Sequence, residues 1–142
     1  MKTVKQLLDT KQARIIAVPE TISVLDALKI MTDKNISAVL VMENEKLSGI
    51  FTERDYARKI ILQGKSSKDT LIIEAMTPNP ITIKMSDSID YCMELMTDKH
   101  IRHLPIVDND EVKGMMSIGD VVKFIIADQK HTISQLENYI SG

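Results

Sequence analysis

With one cysteine, Cys92, in 142 residues, the chain cannot close an intrachain disulfide, and a reducing compartment is its default setting. Excess positive charge is missing too. Eighteen Lys and Arg face twenty Asp and Glu, for a formal net charge of −2. Proteins that bind nucleic acid draw most of their affinity from neutralised phosphates, so this balance argues against DNA or RNA as a partner. It leaves room for a local basic pocket that holds one phosphate group. No apolar run approaches the ~20 residues that span a bilayer. Met1-Lys2-Thr3-Val4-Lys5 leads into an amphipathic stretch, not the apolar core of a signal peptide. The expected setting is cytoplasmic, with no membrane. Catalytic signatures are absent as well: there is no nucleophile elbow, P-loop lysine motif, HExxH or triad, so the chain does not read as an enzyme. His100 and His103 have no cysteines or carboxylates gathered near them in sequence. On a strand they also point to opposite faces, so no metal site is expected.

What the chain does have is repetition. Gly49 falls on Gly114, Asp55 on Asp120 and Met31 on Met96, each 65 residues further on. The alignment of 18–59 with 83–124 needs no gap. It carries the shared run Met31-Thr32-Asp33-Lys34 and Met96-Thr97-Asp98-Lys99, and about nine identities in all. With 44% hydrophobic and 27% charged residues, two half-size units sharing a core are a reasonable soluble body. In each copy apolar residues at i, i+3, i+4 and i+7 predict a helix: Val24, Ala27, Leu28 and Met31, then Ile89, Cys92, Met93 and Met96. Ser23 and Ser88 precede these helices as N-caps. Cys92, on the apolar face, reads as core. Two short apolar runs with a polar turn between them predict a hairpin: Ala38 to Phe51, and His103 to Met116. A second helix follows, ending near Gly64 in the first copy. Ile15 to Val18 and Ile81 to Ile83 add one strand before each first helix. Pro105, inside a strand run, marks an edge or a bulge. The fold class is α/β, as two tandem β-α-β-β-α repeats whose small mixed sheets pack with helices. Residues 1–70 form the first repeat with an N-terminal flanking helix and a polar linker; 71–142 form the second with a C-terminal flanking helix. Apolar faces left over on the second helices point to a homodimer.

The runs Gly49-Ile50-Phe51-Thr52-Glu53-Arg54-Asp55 and Gly114-Met115-Met116-Ser117-Ile118-Gly119-Asp120 resemble a motif of the cystathionine-β-synthase (CBS) domain, which occurs in tandem pairs called Bateman modules. Met76-Thr77-Pro78 and Arg102-His103-Leu104-Pro105-Ile106-Val107 are similar to further family features, and the likeness covers nearly the whole chain. The resemblance implies pseudo-twofold symmetry and two clefts between the repeats. It implies ligands such as AMP, ADP, ATP, NAD-type dinucleotides or S-adenosylmethionine, acting as regulatory ligands and not as catalytic cofactors. By resemblance Asp55 and Asp120 bond ribose hydroxyls, Thr52 and Ser117 face ribose or phosphate, and Arg102 and His103 lie near phosphate. Thr82, with the backbone of Ile81 and Ile83, borders one adenine, and Ile16 to Val18 the other; Leu104 and Pro105 continue the strand beside the site.

Thr52-x-x-Asp55 and Ser117-x-x-Asp120 also have the spacing of a helix capping box, so caps and ligand contacts are both open readings. Ser37 and Ala38 stand where the second copy has Arg102 and His103. Arg54, Arg58 and Lys59 can supply charge to the first copy, and Gly119, the counterpart of Arg54, leaves room for phosphate in the second. The grouping expected to bind better is therefore Thr82, Arg102, His103, Ser117 and Asp120. The functional expectation is a sensor of adenine nucleotides that signals to a separate effector protein. The alternative is a dimerising scaffold with empty clefts.

Overall fold

The structure, a computed structural model, describes residues 1–11 and 15–141. In the first half, β1 (Ala17–Pro19) runs parallel to β2 (Ala38–Glu43), which pairs with β3 (Lys46–Thr52) in an antiparallel hairpin. Asn44 and Glu45 form the two-residue turn with φ of 49° and 65°; Asn109 and Asp110 repeat it at 52° and 63°. Two central residues with positive φ give the turn whose twist suits a two-residue hairpin, and asparagine tolerates that conformation well. Helix α2 (Val24–Lys34) is capped by Ser23, whose Oγ accepts the Asp26 N–H, and it ends on Asn35 in the left-handed region. After β3 come α3 (Glu53–Tyr56) and a π-helical turn, Ala57–Ile61. Gly64, at φ +66°, closes this stretch as the glycine position implied.

The second half repeats the plan with α5 (Ile89–Lys99), β5 (His103–Asp108) and β6 (Glu111–Ser117). Ser88 Oγ caps α5 through the Tyr91 N–H, and His100 takes the left-handed place of Asn35. One expected strand is cut short. Ile81 to Ile83 contributes a single bridge, Ile83 to Ile106, instead of a ladder. In the first half the Leu40 N–H donates to the Ile16 carbonyl; the position of Leu40 is held here by Pro105, which has no N–H to donate to Ile81.

The halves also trade elements. Helix α1 (Val4–Thr10) sends Val4, Leu7 and Leu8 into the core of the second half, with Ile83, Ile89, Cys92 and Leu104. The Val4 N–H donates to the Asp87 carbonyl at 2.9 Å, and the Ile89 N–H to the Lys2 carbonyl at 2.9 Å. In return α4 (Ile72–Ala75) places Ile72, Ala75 and Met76 in the core of the first half, and β4 (Thr77–Pro78) adds a fourth strand beside β3. Neither half has its full core without the segment lent by the other. Between the hairpins Ala38, Leu40 and Ile50 meet Val112 and Met115. Cys92 is fully buried among apolar neighbours, and burial pushes its thiol up to about 11, so it is core and inert.

The last helix, α6 (Ile118–Ser141), buries Val121 and packs Phe124 and Ile125 on the core, after which residues 129–140 are all exposed. Among the described residues no helix is long and apolar enough to cross a membrane.

Candidate ligand-binding cleft

The exchange of segments opens a cavity of about 660 Å³ between the halves. That size suits a small-molecule ligand. One wall is the β3–α3 junction with Thr52, Arg54, Asp55, Arg58 and Lys59. The crossing segment supplies Thr77, Asn79, Pro80 and Ile81, and the opposite wall is the turn after α5, Lys99 to His103.

Asp55 sits at the centre, 7% exposed. Its Oδ2 accepts the Thr52 N–H at 3.0 Å and the Thr52 hydroxyl at 3.1 Å, while its own N–H donates to Thr52 Oγ1 at 3.1 Å. This is a complete capping box. Oδ1 looks the other way: the Thr77 hydroxyl donates to it at 2.8 Å, and Lys59 Nζ lies 3.2 Å away while also donating to the Met76 carbonyl. One carboxylate oxygen therefore caps the helix, and the other is held by Thr77 and Lys59, two residues that also line the cavity. Arg54 Nη1 reaches across to the His100 carbonyl at 2.7 Å and ties the walls together. The Glu53 N–H already donates to Ser37, that of Asp55 to Thr52 Oγ1, and that of Ile118 to Arg102. Positive charge in the cleft comes from side chains.

The expected grouping changes. Arg102 and His103 line the cavity of Thr52 and Asp55, because the loop of one half stands against the helix start of the other. Ser117, Gly119 and Asp120 lie outside that lining. Asp120 forms its own reciprocal pair with Ser117, and Lys11 Nζ donates to its Oδ2 and to the Met115 carbonyl, both at 2.7 Å. Burial pushes the Asp120 carboxyl up, but the Lys11 ammonium and the Ser117 bonds outweigh it and hold the group below its ordinary value. Thr82 is exposed and absent from the lining, where Ile81 stands instead. Ile83 cannot offer its backbone to a base, since its N–H donates to Pro105 and its carbonyl accepts from Val107. Val18, Ala38 and Leu104 are buried core, Pro105 is buried beside them, and Ile16 packs on the first core. His100 and His103 do not face apart: both border the cleft, because β5 begins only at His103 and His100 is the helix cap. Lys11 carries no signal in the sequence, and Thr77 and Lys99, present there as a family feature and as part of the repeated run, carry none that assigns them to the site, as nothing local marks a residue whose partner is on a crossing segment.

His103 Nε2 lies 3.0 Å from Ser37 Oγ, bridging the halves. Burial holds its pKa below the ordinary 6.5; Asp120 opposes this, while Arg102 and Lys11 add to it. The unfolded chain thus takes up a proton near pH 6.5 that the folded chain resists, so stability is full above that pH and falls as acid is added. Melting curves between pH 7.5 and 5.5 should show a smaller acid-induced loss for His103→Gln than for the natural chain. Parallel curves would remove His103 from the acid response.

The CBS-domain family model matches the chain twice, over residues 4–62 and 72–127. The CBS domain-containing protein CBSX3, mitochondrial, of Arabidopsis thaliana is 42% identical over 125 residues, which is 84% of this chain and 61% of that protein; the chain thus spans under two thirds of this relative's length. A solved structure with CBS domains from Burkholderia ambifaria MC40-6 is 46% identical with a TM-score of 0.87, covering 90% of this chain and 96% of that one. The CBS domain pair of protein MJ0100, solved with 5′-methylthioadenosine and S-adenosyl-L-methionine, is 27% identical with a TM-score of 0.78, over 90% of this chain and 98% of that one.

Proposed function

The chain belongs to the CBS-domain family, and on that premise we propose that it is a regulatory module that binds an adenosyl ligand in the cleft between its repeats. The observation that carries this reading is the cavity itself, with Thr52 and Asp55 on one wall and Arg102 and His103 on the other. A carboxylate is a good acceptor for ribose hydroxyls, and a ribose takes its place at Asp55 Oδ1 by exchanging with the Thr77 hydroxyl or the Lys59 ammonium there. Ile50 and Ile81 offer apolar surface for a base, and the basic wall suits phosphate. The MJ0100 pair, with its two adenosyl compounds, supports the ligand class. AMP, ADP, ATP and NAD-type dinucleotides all fit the class, and no catalytic step is assigned. Ligand binding across two halves that share exchanged segments changes how they pack, and that change is the signal to a separate effector protein. We place the module in a reducing aqueous compartment, the cytoplasm by the sequence reading; the Arabidopsis relative is mitochondrial by name.

The test is a thermal-shift series with AMP, ADP, ATP, NAD, NADH and S-adenosylmethionine. A ligand at 100 times its Kd stabilises by about 2.7 kcal/mol. Stabilisation by members of this set is expected. Silence from all of them at millimolar concentration would favour the scaffold reading, in which the capping boxes of Thr52–Asp55 and Ser117–Asp120 are the whole role of the two aspartates.

A homodimer is part of the proposal. Val122, Ile126, Ile133, Leu136 and Ile140 are exposed on α6 in a stripe of nearly heptad spacing, with isoleucine every seventh residue from 126. A free helical end of this length is marginal in water without packing, and the same stripe on a second copy gives each a partner. Light scattering should report a dimer, and Ile133→Lys with Leu136→Lys should bring the mass to that of a monomer. A monomeric natural chain overturns this.

A further inference from the structure

We propose that the cleft selects a nucleoside di- or triphosphate over AMP and over S-adenosylmethionine. This rests on the adenosyl reading above and narrows it. The cavity is lined by five side chains of fixed positive charge, Arg54, Arg58, Lys59, Lys99 and Arg102, against the carboxylates of Glu53 and Asp55 alone. The chain as a whole is acidic, with a formal net charge of −2, so this concentration of cations is local to the cleft.

The two carboxylates do not cancel it. Asp55 is turned toward Thr52, Thr77 and Lys59, and its pairing with Lys59 accounts for one cation only. Among the described residues Arg58, Lys99 and Arg102 have no carboxylate within ion-pair distance, and Arg54 spends one guanidinium nitrogen on the neutral His100 carbonyl. Like charges held together without counter-ions are costly, and a bound polyanion relieves that cost.

The cations are also spread in a way that one phosphate does not exploit. Arg54 stands in α3 and Arg58 in the π-helical turn that continues it, and both line the first wall of the cavity. Lys99 and Arg102 approach from the turn after α5, on the far wall. A single phosphate beside the ribose satisfies a cation or two; a chain of phosphates extends between the walls and engages both. S-adenosylmethionine brings a sulfonium and an ammonium into this wall and only one carboxylate, so the field works against it.

The experiment is titration calorimetry with AMP, ADP, ATP and S-adenosylmethionine in EDTA, so that no divalent ion masks the phosphates. It is run on the natural chain and on the double variant Arg58→Gln, Lys99→Gln. Both residues are exposed, so the fold tolerates the change, and an unaltered melting temperature without ligand verifies it. ATP should bind about tenfold or more tightly than AMP, a gap that one extra charge-assisted contact supplies. S-adenosylmethionine should be weakest, the ATP-to-AMP ratio should shrink in the double variant, and the ratio should fall as salt rises. Equal affinity for AMP and ATP, or tightest binding of S-adenosylmethionine, overturns the selection while leaving the adenosyl reading intact. No binding of any of the four overturns both.

Discussion

Gly49→Ala should cost about 2–3 kcal/mol, a fall of roughly 6–10 °C in melting temperature, while the same change at the matching Gly114 should cost about 1 kcal/mol or less. The two glycines hold the same place in the repeat, and neither sits in the left-handed region. What differs is what lies over them. A Cβ on Gly49 would come within 2.7 Å of the Thr77 carbonyl oxygen and of Met76 Sδ. The sulfur can swing away, but the carbonyl is backbone, fixed by the pairing of Gly49 with Pro78. The methyl must push β4 off the sheet. A Cβ on Gly114 meets Leu8 Cδ1 at 3.2 Å, the movable end of a side chain, and replacing glycine also lowers the entropy of the unfolded chain. The loss at Gly49 carries into the site, because Thr77 is the residue that bonds Asp55 Oδ1. Ligand affinity should fall with stability there and stay level in Gly114→Ala. Calorimetric melts with and without ATP read both; equal losses at the two glycines would mean that β4 is not held against β3 as described.

The second large effect is at the aspartates. Asp55→Asn should weaken ATP or AMP binding by roughly 10–100-fold, the worth of hydrogen bonds to a charged acceptor, and Asp120→Asn by about threefold or less. Asparagine keeps a cap acceptor for the Thr52 N–H, so the helix start survives while the ribose acceptor and the charge facing Lys59 are lost. Asp120 is paired with Lys11 and Ser117 and lies outside the cavity lining, although its charge still reaches His103. The order is the reverse of the one the sequence favoured. Calorimetry on the two variants decides it, and a larger loss at Asp120 would return the better site to the second cleft.

The lining of the cavity marks the limit of what the sequence discloses. Signals confined to a few residues read true: serine caps at Ser23 and Ser88, the asparagine-led hairpin turns, the glycine after the first repeat's second helix, and the core face of α5 with Cys92. The register of the duplication was equally plain. Hidden was the trading of α1 and of α4 with β4 between halves, since every helical and strand signal in them is satisfied whichever core receives it. The site followed the trade. Grouping Arg102 and His103 with Asp120 assumed that a site is made within one copy, yet the cavity is lined by the loop of one half and the helix start of the other. Pro105 was read as an edge or bulge, but its consequence, the loss of a strand at Ile81 to Ile83, depends on which neighbour needed its N–H.

The most direct measurement is a crystal structure of the chain grown with ATP. The expected result is density in the cavity between the halves, with ribose hydroxyls on Asp55, the base against Ile50 and Ile81, and phosphates between Arg54 and Arg102. An empty cavity at saturating ATP, or a nucleotide seated only at Ser117 and Asp120 with Lys11 displaced, would contradict it.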